Sequence, residues 1–269
     1  MLTTEEYYHV AHQLPPDLTL WPGQLPAVFS YTFTFYTLGF VVGRVLDSCL
    51  NRDESNPTKH KRLRNLLVCT LHSIISGVWA SYLFLSIESM RHDWIHSYND
   101  SLAKLLTMSI GYFVYDAVDM IRFDPTAKTL ELIIHHVASI AAFMTVTSSR
   151  KFCAFAATAL LFEVNSIFLH ARAISRILGH DFRLIRALNV LTFIPFRFGV
   201  QLAEILWLHS VWNDIHTFYL WQGCLGSIFF LVSNSLLFYR ILCADGWFHK
   251  DQRSPKHVDK FSDENVKTT

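Results

Sequence analysis

Four ionisable side chains stand close together in the middle of this chain: Asp116, Asp119, His135 and His136. A neutral imidazole can take a proton from an amine or a hydroxyl, and a nearby carboxylate can hold its tautomer and steady its charged form. His135 and His136 are therefore candidate catalytic bases, with Asp116 or Asp119 as the supporting carboxylate. Adjacent helical residues point about 100° apart, so the two imidazoles cannot address one atom symmetrically. His135 shares a face with Ser139 and is the better cavity candidate by that criterion. Metal chemistry is the rival use of histidine pairs. Only one such pair falls in an apolar segment, His92 and His96 sit in a loop, and the five cysteines are scattered without a metal-ligand spacing, so no metal site is expected.

The surroundings of these four residues set the cost of keeping them. They lie in two apolar segments separated by a short polar loop, 109–121 and 130–144. An ionisable group at membrane depth costs roughly 2.5–3.5 kcal/mol on insertion scales. The chain is 51% hydrophobic, carries 22 Phe in 269 residues and has a net charge of +1. Its mean hydropathy is +0.26. That composition implies a multi-pass membrane protein and excludes a general case for nucleic-acid binding.

A bilayer crossing needs about 20 mostly apolar residues. Seven candidates are legible: 26–47, 66–87, 101–121, 131–147, 152–173, 184–208 and 216–242. The fourth is short and should be tilted or partly enclosed by protein, and only SSRK at 148–151 separates it from the fifth. The first 25 residues lack Lys, Arg and an early apolar run, so they do not read as a signal peptide. Counting Lys and Arg loop by loop gives seventeen on one side and four on the other. By the positive-inside rule this places the C-terminus in the cytoplasm and the N-terminus outside or in the lumen. The resulting organisation is an outer segment 1–25, a first span with a basic loop over 26–59, the main helical domain over 60–245, and a polar tail over 246–269. Cys49 and Cys243 flank apolar runs and are candidates for palmitoylation. The sequon at Asn99 lies at the mouth of the third span, where glycosylation is not expected.

Five spans carry a polar row at the i, i+3, i+4, i+7 spacing of one helix face. The rows are His72, Ser76 and Trp79; Ser109, Tyr112, Asp116 and Asp119; His135 and Ser139; Glu163, Ser166 and His170, with Asn165 beside them; and Arg197, Gln201 and Glu204. Pro195 should kink the last of these helices. Such rows must turn from lipid toward one another or toward a water-filled space. The fold expected is an all-α transmembrane bundle of about seven spans around a polar central cavity. Its candidate lipid-cavity residues are His72, Tyr112, Glu163, Asn165, Arg197 and Gln201. The plainer alternative is that each group only ties helices together, yet such contacts return about 0.6–2 kcal/mol each. Gly39 and Gly43 form a GxxxG in the first span, a candidate helix-contact face.

The segments RNLLVCTLHSIISGVWA (64–80), SIGYFVYDAVDMI (109–121), LELIIHHVASIAAFM (130–144), LLFEVNSIFLHARAI (160–174) and FRFGVQ (196–201) together resemble the TLC domain. That domain is shared by ceramide synthases and the TRAM translocon-associated proteins. The resemblance covers roughly 60–245 and extends to HVDKF near the C-terminus, where it is nearest to the TLC proteins associated with membrane fluidity. It implies a plasma-membrane protein, with the endoplasmic reticulum as alternative, that limits polyunsaturated acyl chains in phospholipids such as phosphatidylethanolamine. Ceramide synthases carry a longer motif after the histidine pair and aspartates in the following span. Here HHVASIAAFMTV follows instead and the aspartates precede the pair. An acyltransferase using acyl-CoA and a His135 or His136 base is the second candidate function, and an accessory subunit of a channel or transporter is the third. Membrane lipids are the expected partners, with a second copy of the chain as a further candidate.

Overall fold

The computed structural model describes residues 11–49, 57–123 and 127–246. Expectations for the first ten residues, for Arg52 and for the tail beyond 246 lie outside the described residues. A single 3-10 turn, Ala11–Gln13, precedes the helices α1 (Trp21–Cys49), α2 (Pro57–Ser86), α3 (Glu88–His92), α4 (Asp100–Phe123) and α5 (Ala127–Ser149). Then come α6 (Cys153–Ala159), α7 (Phe162–Ile177), α8 (Arg183–Phe193), a π-helical turn (Ile194–Gly199), α9 (Val200–Ser210) and α10 (Thr217–Ala244). Helices α6 with α7, and α8 with α9, each make one membrane-length unit. Among the described residues, six units are long and apolar enough to cross a bilayer. The seventh crossing is α4, whose 24 residues span roughly 36 Å.

Helix α4 is the hub. Fourteen of its 24 residues are buried, Asp116 and Asp119 among them. Asn99 caps it by accepting a hydrogen bond from the Leu102 amide at 2.9 Å, and Ser101 accepts from the Trp79 indole at 3.0 Å. Asn99 and Ser101, the defining residues of the sequon, thus have structural partners. Small residues set how closely the neighbours approach. A Cβ at Gly111 would sit 2.5 Å from the Tyr31 Cβ on α1, and one at Gly39 would sit 2.6 Å from the Tyr115 hydroxyl. Gly39 of the GxxxG pair therefore contacts α4, while Gly43 lies against Arg64 of α2. On the far side of α2, Gly77 lets α7 pack backbone to backbone, with Val164 N 3.0 Å from where a Cβ would be.

Three expectations about the helices change. The fourth span is not short: α5 runs 23 residues. The fifth breaks at Leu160 and Leu161, where backbone bonds tighten to i→i+3, Glu163 to Leu160 and Val164 to Leu161. In the sixth, Pro195 produces a π turn over Ile194–Gly199. Proline offers no N–H and its ring crowds the preceding turn; a widened turn absorbs both and re-aims side chains. The SSRK junction is a tight corner in which Arg150 and Phe152 take left-handed φ of 54° and 61°, and the Phe152 amide reaches the Ile95 carbonyl at 2.7 Å. Cys49 is exposed and Cys243 half-buried.

Candidate functional site

One cavity of about 1040 Å³ runs through the bundle. Lys61, Arg62 and Arg240 line its end at the basic face; Phe152, Ile215 and Tyr219 line the opposite end. The polar middle is assembled from α2, α4, α5, α7, the π turn, α9 and α10. Asp116, Asp119, His135, His136, Tyr112, Glu163 and Arg197 all line it, as do Ser139, Ser166, His170 and Glu204.

Asp116 is the centre of the first cluster. Its Oδ1 accepts from Asn65 Nδ2 at 2.7 Å, and Cys69 Sγ approaches the same oxygen at 3.7 Å. The Tyr112 hydroxyl donates to Oδ2 at 3.4 Å. His136 Nε2 lies 3.6 Å from that Oδ2, ion-pair distance but longer than a hydrogen bond. Asp119 is bound by Arg64 and by Asn65 at 3.2 Å. Two carboxylates one helical turn apart thus share Asn65 and draw in Arg64, both of which lie off the polar rows. His136 is buried and stacks on Phe113 with centroids 5.1 Å apart, and its Nδ1 has no hydrogen-bond partner among the described residues. His135 turns instead toward α10, with its ring 4.9 Å from that of Phe230. Both histidines line the cavity with Ser139, and it is His136 that approaches the Asp116 carboxylate.

The second cluster surrounds Arg197. Its Nε donates to Asn165 Oδ1 at 2.8 Å, Nη1 to Asn234 Oδ1 at 2.8 Å, and Nη2 to Ser166 Oγ at 2.9 Å. All three partners are neutral, and no carboxylate pairs with Arg197 among the described residues. A guanidinium has five N–H groups, so donors remain for a carbonyl or carboxylate oxygen in the cavity. Glu163 is close by, bonded to the Ser73 hydroxyl at 2.6 Å.

Three expected cavity residues stand behind the wall. His72 is fully buried, stacks on Tyr112 with centroids 3.7 Å apart and meets Ser109 Oγ at 3.3 Å. Asn165 is enclosed, positioning Arg197 and donating to the Asn189 carbonyl at 2.8 Å. Gln201 is buried, and neither of its amide atoms has a partner among the described residues. The face of α2 that reaches the cavity is Lys61, Arg62, Asn65, Leu66 and Cys69, because the His72 row is taken up by packing on α4. Sequence reasoning missed Arg64, Asn65, Ser73 and Asn234. Asn65 and Asn234 were readable as lone amides in or beside apolar runs; Arg64 counted only as loop charge. No group of side chains suited to a metal ion occurs among the described residues.

Membrane-length helical units around a polar, ionisable cavity define a polytopic membrane protein with an accessible interior. The TLC domain model matches residues 62–243, and this chain belongs to that family. It is 31% identical to TLC domain-containing protein 2 of Danio rerio over 185 residues, 67% of this chain and 75% of the relative. It is 27% identical to TLC domain-containing protein 1 of Homo sapiens over 238 residues, 88% of this chain and 96% of the relative.

Proposed function

We propose that this protein takes a lipid acyl chain into its cavity and thereby controls phospholipid acyl composition. In this reading it limits polyunsaturated chains in phospholipids such as phosphatidylethanolamine, and so sets membrane fluidity, at the plasma membrane with the endoplasmic reticulum as alternative. The observation that carries it is the cavity itself: one continuous volume of about 1040 Å³, with a basic rim, a polar middle and an aromatic end. That sequence of surfaces matches an amphiphile from anionic head through carbonyl to acyl chain. A channel accessory subunit needs no such interior.

The second reading, acyl transfer from acyl-CoA to a lipid amine or hydroxyl, is favoured by the Asp116–His136 approach at 3.6 Å. His136, with His135 beside it, would be the base. Arg197 would hold the carbonyl oxygen, and Lys61, Arg62 and Arg240 would face the phosphates.

The test of the first reading is lipid identification by mass spectrometry on the purified protein, beside phosphatidylethanolamine lipidomics of cells given a polyunsaturated fatty acid. Loss of the protein should raise polyunsaturated phosphatidylethanolamine. A protein that purifies free of acyl lipids, from cells whose lipids do not respond to its loss, overturns the reading. Consumption of acyl-CoA by purified protein separates the second reading from the first.

A further inference from the structure

Five described carboxylates line the cavity, and four have partners: Asp116 with Asn65, Asp119 with Arg64, Glu131 with Arg240, and Glu163 with Ser73. Glu204 is different. It is 4% exposed, it lines the cavity, and its Oε1 is enclosed without a hydrogen-bond partner among the described residues. No Lys, Arg or His comes within ion-pair distance of it among the described residues. It lies two helical turns beyond Arg197, roughly 10 Å further from the basic face. Trp207 and Leu208 follow it on α9, and Phe155 packs on Trp207 with ring centroids 5.1 Å apart. Glu204 thus stands where the polar middle gives way to the apolar arm, along which the acyl chain of the proposed ligand would run.

A plain alkyl chain passing Glu204 would strip the carboxyl of water and return no hydrogen bond, which is unfavourable. A chain bearing a hydroxyl at that depth satisfies it. Gln222 and Ser227 of α10 also line the cavity, and Gln222 is held only by a long 3.5 Å contact to Thr145. A hydroxyl both donates and accepts, so it can satisfy the Glu204 carboxyl without bringing in a charge. An ammonium is less suitable, because stripping a cation of its water costs far more than stripping a neutral hydroxyl.

We propose that Glu204 is a mid-chain recognition point, and that the cavity prefers an acyl chain carrying a hydroxyl well below its carbonyl over the unsubstituted chain. The inference rests on the acyl-chain reading of the cavity. It is tested on the purified full-length protein by displacement of a fluorescent fatty acid, with stearic acid and mid-chain hydroxystearic acid as competitors. The hydroxylated probe should bind about tenfold tighter, the worth of one buried hydrogen bond. Glu204→Leu should abolish the preference for the hydroxylated acid, tightening stearic acid and weakening hydroxystearic acid, and Glu204→Gln should retain part of the preference. Equal affinities in the wild-type protein overturn the inference, as does a preference that survives in Glu204→Leu. The wild-type comparison decides the matter even if Glu204→Leu does not fold. Failure of both acids to bind overturns the acyl-chain reading too, whereas stearic acid binding without preference overturns only the role of Glu204.

Discussion

Replacing Asp116 by asparagine tests whether the carboxylate serves chemistry or only packing. The substitution keeps shape and removes charge. The 3.6 Å separation from His136 Nε2 sets the size of the electrostatic effect. At an effective dielectric of 20, a unit pair at about this distance is worth about 4 kcal/mol. If His136 becomes protonated during proton transfer, losing that attraction slows the step by about a thousandfold, at 1.36 kcal/mol per decade. The structural loss is far smaller. The new amide could still accept from Asn65 through its own carbonyl, and polar contacts between membrane helices are worth about 0.6–2 kcal/mol. Asp116→Asn should therefore express, enter the membrane and unfold within a few degrees of wild type, yet fail to restore phosphatidylethanolamine composition in cells lacking the protein. His136→Ala should fail in the same way. Ile140→Ala, one turn along α5, should rescue. The assays are thermal unfolding in detergent, lipidomics after a polyunsaturated fatty-acid load, and acyl-CoA turnover by purified protein. If Asp116→Asn rescues as well as wild type, the carboxylate is a helix tie and the acid–base argument collapses.

Arg197→Met should destabilise the bundle by about 2–4 kcal/mol, because it strands three oriented acceptors, Asn165, Asn234 and Ser166, in a buried setting; thermal unfolding that matches wild type would contradict that network. Gly111→Leu should abolish folded expression, since even its Cβ would overlap Tyr31, whereas Gly226→Ala should be silent because a Cβ there meets nothing within 4 Å; size-exclusion profiles of the two variants decide this. Tags at the two ends of the chain should be accessible on opposite sides of the membrane, as seven crossings require, and protection of both by an intact membrane would refute the count.

The periodicity of the sequence was enough to determine the fold class and the polar rows. A membrane helix must satisfy its own backbone and turn its charges inward, so length, hydropathy and the i, i+3, i+4 pattern carry that information locally. The helix at the centre was nevertheless the one hydropathy served least. With Asp116, Asp119 and Arg122, α4 falls outside the six helical units that are apolar enough to cross unaided, and it resides in the membrane because fourteen of its residues are covered by protein. Which polar residues reach the cavity was decided by rotation between helices, which no single helix encodes. His72 follows the pattern of a cavity residue and is claimed by Tyr112. Asn234 looked isolated, yet it lies in line with Leu220, Ser227 and Ile241, seven residues apart on α10, and meets Arg197. The choice of His136 over His135 as the partner of Asp116 depended on how α5 turns against α4. The π turn at Pro195, read from sequence as a simple kink, re-aims Arg197 into its ring of neutral acceptors. Those assignments need the packing angles of helices far apart in the chain, and only the tertiary structure supplies them.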